Sequence, residues 1–371
     1  MKKYNWKNYN FKLVLMLLAI TIIGIMVIGS AKESVQGKQI AGFGLGLFLM
    51  FFISVIDYSF VLKFQWTIYG FNIFLLLLVQ IAGSSANNAQ RWLMIGGIRF
   101  QPSELAKILL ILFYAQFIIK HEEKLNTFSN LLKSVLFLLP PLLLVYMQPD
   151  LSTSIMIVVI FCAIIFVSGL SYKVIAGIFA VLVPAVLILL FIVLQPQQTV
   201  IKDYQQNRIL AWINPDKYAL TTAYQTQNSI TAIGSGQLTG KGYKNDDPNS
   251  VKNGNYISEP QTDFIFAIIG EELGFVGGLT VILLLMLIAL ECYKVGRYAK
   301  DIGGRVICTG MGTLICFQTF INISVATGII PNTGLPLPFV SYGLTSLVSL
   351  YIGMGFVLNV SLSRNRRISY D

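Results

Sequence analysis

Four carboxylates lie close together in the stretch ISEPQTDFIFAIIGEELGFVG, residues 257–277, at the start of a long apolar segment. The chain has only 17 acidic residues and a formal net charge of +10, and the four are Glu259, Asp263, Glu271 and Glu272. Successive residues of an α-helix point about 100° apart, so Asp263 and Glu272 face opposite sides of a helix. We expect Thr262 to cap this helix and Asp263 to lie in its first turn at the membrane surface. Glu271 and Glu272 are expected to contact basic residues or other helices, and Glu259 has no assigned role.

A second polar group stands in NNAQRWLMIGGIRFQPSELAK, residues 87–107. Its proline suits the first turn of a helix, and Glu104 complements the positive end of the helix dipole. Arg99 precedes this helix and Lys107 lies one turn inside it, where an ionisable residue is by default a candidate functional residue. The alternative is an intrahelical pair between Glu104 and Lys107. Trp92 is either a substrate contact or an anchor at the membrane interface.

Two further regions are too polar or too rich in Gly and Pro to be simple connections. Residues 195–262 form a long loop that contains GSGQLTGKG, where Lys241 could approach phosphates but the spacing is not that of a P-loop. A solvated lysine is the alternative. Residues 327–346, TGIIPNTGLPLPFVSYGLTS, predict an irregular segment that lines a cavity or is buried in protein. Ser341 could offer its hydroxyl to such a cavity, although a helix N-cap is the simpler local role.

The elements that position these residues are membrane helices. Hydrophobic residues make up 55% of the 371 residues and charged residues 12%, against about 25% charged residues in soluble domains. Continuous apolar runs exclude an aqueous barrel, so we predict an all-α polytopic membrane protein. About ten segments are long enough to span a bilayer: 11–30, 40–57, 64–82, 104–119, 134–149, 151–169, 173–194, 264–293, 305–326 and 341–361.

The distribution of Lys and Arg predicts the orientation. With a cytoplasmic N-terminus, sixteen basic residues fall on the cytoplasmic side and four in the short outer loops. Cytoplasmic loops carry the excess of Lys and Arg in membrane proteins, so both termini are predicted to be cytoplasmic. Residues 195–262 then become a large extracytoplasmic loop between the seventh and eighth spans.

Together these motifs resemble the SEDS family, the polytopic peptidoglycan glycosyltransferases that include RodA, FtsW and SpoVE. The motifs span most of the chain in the expected order: RW at 91–92, QPSELAK at 101–107, QPDL at 148–151, SGQLTGKG at 235–242, TDFIFAIIGEELGFVG at 262–277 and PLPFVSYG at 336–343. The family pattern departs at Gln261, Ser152, Leu344 and Thr345, none of which is the proposed acid. The short tails favour a RodA-like member.

The resemblance implies a single SEDS-type membrane domain, residues 1–371, that polymerises lipid II outside the bacterial cytoplasmic membrane. The essential acid of the family falls on Asp263, and the basic residues near the fourth span fall on Arg99 and Lys107. A class B penicillin-binding protein, lipid II with its growing glycan strand, and membrane lipids are the expected partners, and no nucleic acid is expected. We add Trp92, Glu104, Lys241 and Ser341 as candidate substrate-binding residues.

The chemistry is consistent with this resemblance. A β-1,4 link made from an α-linked glycosyl diphosphate inverts the anomeric carbon, so one displacement suffices. It needs a base for the acceptor hydroxyl and positive charge for the departing diphosphate. Asp263 is the predicted base or, alternatively, a ligand of a divalent cation (Mg²⁺ or Mn²⁺). The helix dipole argues against a raised pKa for Asp263, which favours the metal role or an orienting role. A lipid II flippase and a noncatalytic scaffold for a transpeptidase remain the alternative functions.

Overall fold

A computed structural model of the chain describes residues 6–86, 89–96, 98–172, 203–248 and 250–364, with isolated positions between 173 and 202. Within these residues, eight helices are long and apolar enough to cross a membrane. The helix Leu151–Val167 is apolar but slightly shorter. The predicted polytopic helical membrane fold is confirmed, and the predicted span 173–194 lies outside the described residues except for isolated positions.

Twelve α-helices, numbered here in chain order over the described residues, make up most of the fold. Short 3₁₀ turns at Trp6–Asn8, Glu122–Lys124 and Pro215–Tyr218 add to them. The helices are α1 Phe11–Ala31, α2 Glu33–Ser54, α3 Tyr58–Leu62, α4 Gln65–Ala82, α5 Pro102–His121, α6 Phe128–Met147, α7 Leu151–Val167, α8 Asp203–Ile213, α9 Tyr224–Ser235, α10 Ile265–Arg297, α11 Ile302–Ala326 and α12 Leu344–Leu362.

Three of these helices form the centre of the bundle. Most of α5, α11 and α12 is buried, whereas α2, α4 and α6 bury only 28% of their apolar windows. Small residues allow this close packing in a membrane. A Cβ added at Gly310 of α11 would lie 2.8 Å from the Ile111 side chain of α5. The outer helices present Phe48 and Phe74 at their exposed surfaces, as helices that face lipid do.

A small antiparallel sheet precedes α5. Its strands are β1 Ser84–Ala86, β2 Ala89–Ile95 and β3 Ile98–Phe100, in the order β1-β2-β3. Ser84 pairs with Trp92, and Met94 pairs with Arg99. The sequence had not predicted these strands. They lie in the polar connection between two spans, where water can satisfy the open sheet edges that lipid cannot.

Helix α10 is broken at Gly274, where φ is 64° and ψ is −163°. In an unbroken helix, the amides of Phe275 and Val276 would donate to the carbonyls of Glu271 and Glu272. Here the two amides donate instead to the carbonyls of Gln237 and Leu238, at 2.9 and 3.1 Å. The carbonyls of Glu271 and Glu272 accept from the amides of Lys241 and Gly242, at 2.9 and 3.0 Å. The loop 235–242 therefore provides partners for these four backbone groups at the break.

The close approach of this loop to α10 requires glycine on both sides. A Cβ at Gly240 would lie 2.1 Å from the carbonyl oxygen of Glu272, and a Cβ at Gly274 would lie 2.3 Å from the amide nitrogen of Gly240. Both residues also have positive φ, which side chains other than glycine rarely adopt. The glycine-rich sequence SGQLTGKG thus serves to seal a helix break. The predicted long loop 195–262 is structured over its described part.

The two ends of the described chain lie on the same side of the bundle. Asn8 Nδ2 donates to the carbonyl of Arg364 at 3.3 Å, and Ser361 Oγ donates to the carbonyl of Asn8 at 2.8 Å. This arrangement agrees with an even number of spans. The side on which the ends lie stays a prediction from the Lys and Arg distribution.

Candidate active site around Asp263

Asp263 lies just before α10 and is held by α11 and by the irregular segment 327–343. Its carbonyl accepts from Asn322 Nδ2 at 2.8 Å, and the same amide group donates to Leu335 at 2.7 Å. A Cβ added at Gly334 would lie 3.5 Å from the Asp263 Oδ2 atom. The segment rich in Pro and Gly therefore brings its backbone close to the carboxylate, as the prediction of an irregular segment required.

Two N-cap predictions are wrong. The N-cap of α10 is Phe264, and Thr262 Oγ1 donates instead to the carbonyl of Glu259 at 2.8 Å. Helix α12 begins at Leu344 after Gly343. Ser341 accepts from the amide of Leu337 at 2.7 Å and donates to the carbonyl of Thr262 at 2.6 Å. Both hydroxyls are used in turns and tertiary contacts, which local sequence rules do not include.

The surroundings of Asp263 raise its pKa. Burial is the main cause, and the charge of Asp150 adds to it, whereas the charges of Arg208 and Arg91 lower the pKa. The prediction that the helix dipole would keep this pKa from rising is wrong, because Asp263 precedes the helical turn and is desolvated. A raised carboxyl pKa suits a general base that works near neutral pH.

Asp150 is a second acid at this site, and sequence reasoning gave it no role of its own. It caps α7 by accepting from the amide of Thr153 at 3.1 Å. Its side chain also accepts from Gln101 Nε2 at 3.3 Å and from Ser103 Oγ at 3.4 Å, and Arg91 Nη1 lies 3.9 Å away. The motifs QPDL and QPSELAK, which are distant in sequence, meet at this carboxylate.

Arg91 and Arg208 supply the positive charge nearest to Asp263, and the sequence did not single them out. Arg91 Nε donates to the carbonyl of Gln148 at 3.1 Å, and its Nη2 atom donates to the carbonyl of Pro149. Arg208 Nη1 donates to the carbonyl of Asn332 at 3.1 Å. The motif RW was the only signal that pointed to Arg91. Arg208 stands in NRILAWINP, where no spacing rule marks it.

Arg99 and Trp92 lie on the small sheet at the edge of the site. Arg99 is exposed and Trp92 is partly exposed. The carbonyl of Arg99 accepts from Thr345 Oγ1 at 3.3 Å, so the strand is tied to the start of α12. The charge of Arg99 also opposes the rise that burial causes in the pKa of Tyr342. Both side chains are therefore accessible, as substrate-binding residues must be.

Lys107 and Glu104 form a buried pair. Lys107 Nζ donates to Glu104 Oε1 at 2.8 Å and to Gln318 Oε1 at 3.2 Å, and the side chains of the pair are 1% and 5% exposed. The predicted alternative, an intrahelical pair, is confirmed. Two of the three N–H donors of Lys107 have protein partners. Its role in binding diphosphate stays a prediction.

Glu271 and Glu272 contact basic residues, as expected. Glu271 accepts from Lys241 Nζ at 2.9 Å and from the amide of Val251 at 3.0 Å. Glu272 accepts from Lys252 Nζ at 2.7 Å and from Ser30 Oγ at 2.5 Å. Lys241 is thus neither the solvated lysine of the alternative nor in contact with Asp263. It joins the loop 235–242 to α10.

Several buried polar atoms near Asp263 have no hydrogen-bond partner among the described residues. They include Asn322 Oδ1 and Thr333 Oγ1, which belong to the residue that contacts Asp263 and to the neighbour of Gly334. Buried polar atoms are nearly always satisfied by protein, water or ligand. The region around Asp263 therefore has the character of a polar binding site rather than of a packed core.

A resident metal centre finds few ligands here. Among the described residues, no three His, Cys, Asp or Glu side chains lie close enough together to hold a metal ion. Asp263 could still contribute one oxygen to a Mg²⁺ or Mn²⁺ ion, because such ions often bind through one or two carboxylates plus substrate phosphates and water. The donor set fits a cation that arrives with a phosphorylated substrate.

Comparison with known proteins places the chain among its relatives. Residues 7–366 match the model of the FtsW, RodA and SpoVE cell cycle proteins. The chain belongs to the SEDS family. This SEDS protein is 36% identical over 301 residues to the peptidoglycan glycosyltransferase MrdB of Escherichia coli. The matched region covers 81% of this chain and 78% of the relative. The matched model includes RodA and FtsW alike, so the RodA-like assignment stays a prediction.

Two solved structures share the fold. One is the rod shape determining protein RodA of Thermus thermophilus, with 27% identity, a TM-score of 0.69 and coverage of 98% of both chains. Another belongs to a peptidoglycan synthase complex described as coordinating polymerization and crosslinking. It has 28% identity and a TM-score of 0.77, and it covers 97% of this chain and 98% of its own.

Proposed function

We propose that this protein is a peptidoglycan glycosyltransferase that polymerises lipid II into β-1,4-linked glycan strands at the outer face of the bacterial cytoplasmic membrane. The observation that carries the proposal is the carboxylate of Asp263, which is partly exposed. It lies within the field of the Arg91 and Arg208 charges and close to polar atoms that need partners. The family supports the same activity, since a relative with 36% identity is named as a peptidoglycan glycosyltransferase.

In the proposed reaction, Asp263 accepts the proton of the acceptor sugar hydroxyl. The acceptor oxygen then attacks the anomeric carbon of the donor and forms the new glycosidic bond. The bond from that carbon to the diphosphate oxygen breaks, and its electron pair leaves with undecaprenyl diphosphate. Attack opposite to the leaving group inverts the anomeric carbon. The raised pKa of Asp263 strengthens it as a base.

Arg99 and Lys107 are the proposed holders of the diphosphate. Arg99 is exposed on the sheet edge, and its guanidinium can form two parallel hydrogen bonds with phosphate oxygens. Lys107 is held by Glu104 and Gln318, so one of its three N–H donors is left for a phosphate. Positive charge preorganised by such partners stabilises the charge that develops on the leaving group.

The other candidate residues take two different parts in this proposal. Trp92 is partly exposed beside the site and contacts the substrate directly. Glu104, Lys241 and Ser341 are engaged in protein contacts and act by positioning. A divalent cation, where one is used, is held by Asp263 and substrate phosphates, and it supplies additional positive charge.

Polymerisation of purified lipid II by the detergent-solubilised protein tests the proposal. Asp263→Asn is expected to abolish glycan synthesis while leaving the melting temperature at least as high. Asp246 is an exposed acid of the loop 195–262. Asp246→Asn is the matched control and is expected to keep full activity. Full activity of Asp263→Asn would refute the assignment of the base. Addition of EDTA to the same assay tests whether a divalent cation is needed.

A lipid II flippase is the second candidate, and the broken helix α10 is the observation that favours it, because broken helices are common in transporters. A flippase moves lipid II across proteoliposomes without glycan product, whereas a polymerase makes product in detergent. A noncatalytic scaffold would leave function intact in Asp263→Asn. The break is sealed by the loop 235–242, which favours the polymerase.

A class B penicillin-binding protein is the proposed protein partner. Support comes from the similar chain of a synthase complex in which polymerization and crosslinking are coordinated. The outer helices of the bundle contact membrane lipids, and the two chain ends, which share one side, are proposed to lie in the cytoplasm. Residues 195–262 then face outwards with the site.

A further inference from the structure

A separate cavity lies beside the site, between α8, α9 and residues 328–332. Its volume is about 90 Å³, which is room for about three water molecules at the ~30 Å³ that each takes in the liquid. Its walls are formed by α8, α9 and residues between these two helices, together with the turn that follows α11. No residue that the sequence marked as a candidate lines it.

Arg208 connects this cavity to Asp263. Its guanidinium lines the cavity, donates to the carbonyl of Asn332 at 3.1 Å, and its charge acts on the Asp263 carboxylate. One turn along α8, Trp212 Nε1 donates to the carbonyl of Gly328 at 3.1 Å. These two hydrogen bonds fix α8 against the turn 328–332. The cavity is therefore built into the protein at a fixed place relative to the proposed base.

The lining has the character that an acetamido group needs. Apolar walls come from Ile230, Pro331 and the Trp212 ring, and polar groups come from Thr226, Gln227 and Arg208. Binding sites of this kind combine apolar contact with a few convergent polar groups. An acetamido group has one methyl for the apolar wall and one amide for the polar groups, and it is small enough for this volume.

We propose that this cavity is a subsite for the acetamido group of an amino sugar in the acceptor glycan. The inference rests on the proposed function, because in an inverting displacement the base lies on the acceptor side of the anomeric carbon. Arg208 is then a positioning residue that lines the acceptor subsite and whose charge acts on the base. The subsite would hold the acceptor sugar so that its hydroxyl faces Asp263.

Filling the cavity tests the proposal. Thr226→Phe places an aromatic ring in it, and Thr231→Phe on the exposed part of the same helix is the matched control. Thr226→Phe is expected to raise the apparent KM for lipid II by about tenfold or more, with an unchanged melting temperature, and the control is expected to behave as the parent. Thr226→Val, which keeps the shape and removes the hydroxyl, is expected to raise the KM by roughly two- to tenfold.

Neutral sugar oligomers identify the ligand. A β-1,4-linked trimer of N-acetylglucosamine is expected to inhibit polymerisation competitively, and the glucose trimer of the same linkage is not. Thr226→Phe should remove this inhibition. The acetamido assignment would be overturned by equal inhibition by both trimers or by equal KM values for the two Phe variants. It would also be overturned if inorganic pyrophosphate competed with lipid II and Thr226→Phe removed that competition. If the parent protein makes no glycan at all, the proposed function itself is refuted. If the parent makes glycan but the trimers or the Phe variants do not behave as expected, only the acetamido subsite is refuted.

Discussion

Replacing Lys107 by Met is expected to lower the free energy of unfolding by about 3–5 kcal/mol. Lys107 Nζ lies 2.8 Å from Glu104 Oε1 within α5, and both side chains are almost fully buried. At this distance two unit charges attract by about 6 kcal/mol for an effective dielectric constant of 20. The variant loses this attraction and leaves the Glu104 carboxylate buried without its cation. It also removes the cost of burying the lysine charge, so the net loss is smaller than the attraction itself.

A second change separates the charge of the pair from its shape. Lys107→Met together with Glu104→Gln removes both charges at similar volume, and replacing a whole buried pair is often close to neutral. We expect this double variant to recover the stability to within about 1 kcal/mol of the parent. It should still polymerise lipid II poorly, because the proposed diphosphate cation is missing.

The assay is reversible unfolding in mixed detergent micelles, with lipid II polymerisation measured on the same preparations. Lys32→Met is the control, because Lys32 pairs with Glu259 at 3.1 Å on the surface, with side chains 43% and 59% exposed. An exposed pair of this kind contributes at most about 1 kcal/mol. Equal losses for Lys107→Met and Lys32→Met would refute the energetic argument. Full activity of the double variant would refute the role of Lys107 in binding diphosphate.

Four further results follow from the structure. Burial raises the pKa of Asp263. As the pH is lowered, the rate of polymerisation should therefore begin to fall at a higher pH than it would for a carboxyl of ordinary pKa. Asp216→Asn is the control and should leave this pH profile unchanged. The folded protein then binds that proton more tightly than the unfolded chain, so stability decreases as pH rises through the raised pKa, and Asp263→Asn should melt higher than the parent at neutral pH. Gly240→Ala should strongly destabilise the protein in thermal melts, since its Cβ would meet the Glu272 carbonyl, whereas Gly234→Ala meets nothing within 4 Å and should be neutral or stabilising. Asp150→Asn should reduce kcat for polymerisation at least tenfold by removing the charge that faces Arg91.

The sequence predicted the membrane class and most of the span positions because hydropathy depends on local composition. It also separated Asp263 from Glu272, because helical geometry puts these two residues on opposite faces, and it placed Glu271 two turns deeper in the helix. Pro102 and Glu104 were recognised as the start of α5 because proline and an acidic residue both suit the first turn of a helix. The small sheet was missed, because its strands are three to seven residues long and lie in a polar connection without a clear period.

The site itself depends on contacts between distant parts of the chain. Asp263, Asp150, Arg91 and Arg208 come from four different segments, and no spacing rule relates them. The roles of Thr262 and Ser341 were predicted from local capping rules and were wrong, because each hydroxyl found a partner outside its helix. The role of SGQLTGKG in sealing the break in α10 also depends on tertiary contacts, and the sequence had offered only a possible approach of Lys241 to phosphates or a solvated lysine.

By itself, the sequence determined that this chain crosses a membrane many times, where the helices lie, and which acid is the candidate for chemistry. Only the tertiary structure decided which charges face one another. A buried charge must have a partner, but the partner is chosen by packing, and packing brings together residues that are far apart along the chain. For that reason Lys241 was found with Glu271 and Lys252 with Glu272, and the charge of Arg208 was found to act on Asp263.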